Sequence, residues 1–167
     1  MTYICGDCGQ EHGELSRYTM WRRPELTEDE RKCLVFDTKF TCRVDHERHF
    51  VSCEVEVPFQ DSVEPPLGFI CWVEVSEPDY ARYSAYRGRK KERGTFKELV
   101  SGRLANNVPA VSSSIGTQVK FKVLKGDPTP YVRWVDPDTA LARRISLGAN
   151  KEFWHEAVGL LVSRAEG

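Results

Sequence analysis

Residues 39–58 read Lys39-Phe-Thr-Cys-Arg-Val-Asp-His-Glu-Arg-His-Phe-Val-Ser-Cys-Glu-Val-Glu-Val-Pro58. Phe40, Cys42 and Val44 alternate with Thr41 and Arg43. Val51, Cys53, Val55 and Val57 alternate with Ser52, Glu54 and Glu56. Side chains on a strand repeat every two residues, so this pattern predicts two strands joined by a turn at 45–48. In that register Val44 faces His49, Cys42 faces Val51 and Phe40 faces Cys53. All the apolar side chains then share one face, and an antiparallel hairpin of this kind needs a layer to cover it.

Working outward, Phe69-Ile-Cys-Trp-Val-Glu-Val75 predicts a third strand. Thr117–Leu124 and Tyr131–Asp136 predict a second hairpin, with Tyr131, Arg133 and Val135 on one face and Val132 and Trp134 on the other. Helices are expected at about 28–34 after the Thr27/Glu30 capping box, and from Ser76 to Gly88. Another is expected over 96–104 after Thr95/Glu98, a short one over 139–145, and a last one from Asn150 to about Arg164. Residues 105–116, with Asn106, Asn107 and Pro109, read as a loop, and the serines at 112–114 lie outside any nucleophile motif. The fold class is therefore α+β: a mainly antiparallel sheet of about five strands with flanking helices and an N-terminal zinc-knuckle-like turn. The 167 residues form one domain, with a lead-in over 1–26 and the α+β body over 27–167.

A net charge of −1 provides no broad field for nucleic acid or anionic membrane, and no apolar run reaches the ~20 residues that span a bilayer. Arg87–Arg93 is a local basic run with Tyr83 and Tyr86 nearby, and a solvated loop is the reading preferred over a nucleic-acid site. Six cysteines without an export signal fit a reducing cytoplasm.

Cys5-Gly-Asp-Cys8-Gly9 has the shape of a zinc knuckle. Two thiolates can grip one ion while glycine permits the tight turn, and His12 is close enough for a third ligand. Free thiols and a redox Cys-x-x-Cys are the alternatives, although the strand-to-helix context of a redox motif is missing.

Several ordered stretches resemble the bacterial family of domain of unknown function 2199. They are Cys5–Gly9 with His12, Asp37–Cys42 with Val44-Asp45, His49-Phe50 leading to Cys53–Pro58, Cys71–Glu77, and Leu104 with Asn107-Val-Pro109. The resemblance implies a small cytoplasmic protein and brings no reaction with it. It also implies Cys42 as fourth zinc ligand beside Cys5, Cys8 and His12, with Cys33 competing for that role.

The function expected is a non-enzymatic binding or regulatory module with a structural zinc and an unidentified protein partner. One alternative is a hydrolytic or thiol-dependent enzyme, which needs His46, His49 or His155 to meet a cysteine and a carboxylate in one cleft. The other is an immunity-type protein that neutralises a partner.

Overall fold

The computed structural model describes residues 3–4, 11–12, 18–60, 65–88, 99–124 and 129–157. In chain order the elements are β1 (Tyr3–Ile4), β2 (Glu11–His12), β3 (Tyr18–Met20), α1 (Glu28–Lys32), β4 (Leu34–Thr38), β5 (Thr41–Val44) and β6 (Arg48–Val57). There follow β7 (Leu67–Val75), α2 (Glu77–Gly88), β8 (Val100–Leu104), β9 (Gln118–Lys122), β10 (Tyr131–Val135) and α3 (Ala140–Leu147). A further helical stretch occupies 151–157.

The α+β class holds, and the sheet is larger than five strands and mixed. β1 and β2 pair with each other, and eight strands form one sheet in the order β3-β7-β8-β9-β10-β6-β5-β4. Because β6 also pairs with β7, the five strands β6 to β10 close into a barrel. Neighbours in that run are antiparallel from β6 through to β10. Five up-and-down strands bring first and last together pointing the same way, so the closing pair β10–β6 is parallel. A simple antiparallel sheet could not close on an odd number.

The first hairpin forms, in a different register. Three residues, 45–47, make the loop, with Asp45 at φ 50 in the left-handed region that aspartate tolerates. Val44 therefore faces Arg48, and Cys42 faces Phe50. A slip of one residue exchanges the two faces. Val51, Cys53, Val55 and Val57 point into the barrel with Phe69, Cys71, Val73 and Phe121, and Cys53 stands directly opposite Cys71. Cys42 and Val44 belong to the other face, in a second core with Leu26, Phe50, Trp72 and Ala105. The single greasy side expected from alternation is two cores separated by one sheet, which is why Phe50 and Ser52 are as buried as Val51.

The arm before α1 covers this second core. Trp72 Nε1–H donates to the Trp21 carbonyl (3.0 Å), and the Glu25 N–H donates to the Ala105 carbonyl (2.8 Å). Buried Asn106 accepts from the Trp72 N–H (2.9 Å) and donates to the Arg23 carbonyl (3.0 Å). The Phe36 ring meets Trp72 edge-on at 5.8 Å, so β4 curls over the same core.

Three helix starts match their capping signals, the third being Asn150, whose side chain accepts from the Phe153 N–H (2.8 Å). Thr27 and Glu30 exchange bonds as a full capping box, and the Ser76 hydroxyl accepts from the Asp79 N–H (3.3 Å). The helix expected at 96–104 is overturned where it can be seen: Val100–Leu104 is strand β8. Val100 and Leu104 are buried, with Gly102 between them on the same face. A Cβ at Gly102 would lie 2.5 Å from the Glu74 carbonyl oxygen, so only glycine lets β8 approach β7. The Thr95/Glu98 capping pattern, Arg89–Arg93, the turn at 125–128 and the final helix beyond 157 lie outside the described residues.

Candidate functional site

The proposed zinc ligands fall unevenly. Cys5 and Cys8 lie outside the described residues. They belong to the six residues connecting β1 to β2, whose pairing sets Tyr3 opposite His12 and Ile4 opposite Glu11. Cys42 is fully buried among Leu26, Val44, Phe50, Trp72 and Ala105. Burial, with Asp37 nearby, pushes its thiol up to about 12. The alternation argument set Cys42 beside Cys53 and Cys71; the register puts it across the sheet from them, on the face that the N-terminal arm covers. Cys33 is exposed at the end of α1, where Asp45 raises its pKa. Among the described residues, no group of three or more His, Cys, Asp and Glu is placed to hold a metal ion.

His46 sits exposed in the hairpin loop. His49 is buried with its ring centroid 4.9 Å from that of Tyr80. The Tyr80 phenol donates a short hydrogen bond to Asp37, which also pairs with Arg43 (3.3 Å). Burial first, and then the Asp37 carboxylate, raise the Tyr80 pKa, so the phenol stays a donor. This cluster ties α2 to β4 and β5. Cys42 projects from the opposite side of β5, so this cysteine and His49 do not meet.

A cleft of about 680 Å³ opens in the barrel wall. Tyr131 lies opposite Glu54, and further along the same edge of β6 Phe59 bridges to Ala149. Between these points β6 and β10 part over a length of roughly 16 Å, at ~3.3 Å per residue. Val55, Glu56, Pro58 and Phe59 line one side, Val132–Val135 the other, and Ala142, Ile145 and Ser146 of α3 the end. α3 is held there because the Ala149 N–H donates to the Pro58 carbonyl (2.6 Å) and the Gln60 N–H donates to Ala149 (2.9 Å). Gly148, at φ 76, makes the turn into this clasp; a Cβ there would lie 3.0 Å from the Pro58 oxygen.

A β-bulge decides what the cleft presents. The pairing of β10 with β9 shifts between Val132 and Trp134. Val132 and Val135 therefore both pack on the core, while Arg133 and Trp134 both turn outward. The strict alternation expected for this strand, with Arg133 and Val135 on one face, is corrected by the bulge. Trp134 is 42% exposed, with the Lys120 ammonium 5.2 Å from its ring centre. Arg133 lies 4.0 Å from Glu56 and 5.3 Å from the centre of the Tyr131 ring. Sequence reasoning assigned these residues to a plain strand, and nothing in the local composition marks the extra residue.

Together, barrel and cleft define a small α+β barrel protein with one wall left open to a ligand-sized, apolar and aromatic space. The chain belongs to the DUF2199 family of uncharacterised proteins conserved in bacteria, whose model matches residues 4–149. The match ends at the residue that clasps α3 to β6. No curated protein and no solved structure matches the chain. No helix among the described residues is long and apolar enough to cross a membrane.

Proposed function

We propose that the chain is a non-enzymatic binding module that takes an apolar or aromatic group into the cleft between β6, β10 and α3. One observation carries this: the bulge in β10 turns Arg133 and Trp134 together to the mouth of an otherwise apolar gap. A half-exposed tryptophan over such a space is an adhesive surface that folding does not require. The His49–Tyr80–Asp37–Arg43 cluster supports binding over catalysis, because its groups spend their bonds on holding α2 to the sheet.

A structural zinc held by Cys5, Cys8, His12 and Cys42 is the second part of the proposal. Three thiolates and an imidazole suit a closed four-ligand site, in which zinc contributes folding free energy and leaves no open position for substrate. Support comes from the arm at 18–26, which approaches on Cys42's face of the sheet. Against it stand the apolar neighbours of Cys42, which suit a neutral thiol equally well.

The cleft is tested with Nile red, a neutral apolar dye whose fluorescence rises on binding. Ile145→Glu and Trp134→Ala should each weaken the dye by about tenfold or more, since each changes a contact of order 1.5–3 kcal/mol. Phe36→Ser, at an exposed apolar residue elsewhere, should not. Equal affinity in all four proteins, each shown folded by circular dichroism, would remove the cleft as the binding site.

A further inference from the structure

Building on the cleft as the binding site, we infer that its ligand carries a carboxylate beside its apolar part, and that Arg133 receives it. The charged residues among those lining the cleft are Arg133 and Glu56. Arg133 is 46% exposed, and its contact with Glu56 is at 4.0 Å, the outer limit of an ion pair. A long pair between exposed groups in water is weak and readily exchanged. The guanidinium carbon also lies 5.3 Å from the centre of the Tyr131 ring, and a guanidinium carries an edge of N–H donors. That edge matches a carboxylate, which can accept two parallel bonds from it. Below it, Val132, Val135 and Ile145 provide an apolar floor. An acid with an apolar body therefore matches both halves of the cleft, with Glu56 as the group displaced when the acid arrives.

Two sources share this chemistry, a free apolar acid and the terminal carboxylate of a polypeptide ending in an apolar residue. The test uses the whole chain and calorimetry with decanoate against decanol, then an apolar tetrapeptide with a free C-terminus against its amide. The expected result is a preference of about tenfold for decanoate over decanol, as one charge-assisted bond confers. Arg133→Gln should bring that ratio close to one, and Glu56→Gln should tighten decanoate by removing its competitor. Equal binding of acid and alcohol, lost together in Ile145→Glu, would overturn the carboxylate inference and leave the cleft standing. Binding of neither, or binding indifferent to Ile145→Glu, would overturn both. A free-ended tetrapeptide that outbinds decanoate and its own amide would name the polypeptide as the source; the reverse order would name the small acid.

Discussion

Glu30 serves two structures at once. Its carboxylate accepts from the Thr27 N–H (2.8 Å), closing the capping box of α1, and it also pairs with Arg48 on β6. Arg48 in turn grips Glu74 of β7 with two bonds, at 2.8 and 2.7 Å. The Thr27 N–H first, and then the Arg48 guanidinium, hold the Glu30 carboxyl down to about 2. A carboxyl depressed in the folded state contributes stability that is complete above its unfolded value, about 4.3, and disappears as pH falls towards 2. Urea unfolding at intervals from pH 5 to pH 2 should therefore show the parent losing stability more steeply than Glu30→Gln. Parallel pH dependences in the two proteins would mean that the carboxylate is not coupled to folding. Thr27 and Glu30 could be paired by spacing alone, because a capping box is local. Arg48 and Glu74, twenty-six positions apart, meet only after β6 and β7 have paired.

At the scale of elements, β8 shows where periodicity fails. A separation of four is one turn of a helix and two pleats of a strand, so Val100 and Leu104 fit both. Gly102 is the residue that decides, since glycine weakens a helix interior but permits close approach in a sheet. Gly102→Ala should cost roughly 2 kcal/mol or more, because its Cβ would meet the Glu74 carbonyl at 2.5 Å. Ser101→Ala, at an exposed neighbour, should stay within about 0.5 kcal/mol. Chemical denaturation of both would check the pair, and similar midpoints would deny the close approach. Elements with a strong local signal were legible: the strands read at 69–75, 117–124 and 131–136, and the helices started by Thr27, Ser76 and Thr139. The hairpin's register was not, because a loop of three or four residues fits the same alternation. The bulge at Arg133 was not legible either. It depends on how β9 meets β10, and it is also what creates the candidate site.

For the whole molecule, the class was readable from the succession of strands and helices, but the closure was not. Nothing between residues 48 and 135 announces that β10 returns to β6, for the two form one ladder pair, between residues far apart in sequence. The zinc proposal belongs to this scale, since it concerns how the front end is fastened to the body. Elemental analysis should find one zinc per chain, and a chelator should lower the melting temperature by about 10 °C or more. Cys42→Ser should reduce the zinc content, whereas Cys33→Ser should not; the opposite pattern would transfer the fourth ligand to Cys33. Protein purified without chelator that contains no metal would end the proposal.

An odd number of staves makes a cask with one weak joint. Four of the joints are antiparallel ladders, whereas the fifth has one ladder pair, Tyr131 with Glu54. Thermal breathing should concentrate there, so the amides of Val132 and Arg133 should exchange with deuterated solvent well before those of Cys53 or Cys71. A wall that yields at one known joint can admit guests bulkier than its resting gap, while the cores on either side stay shut.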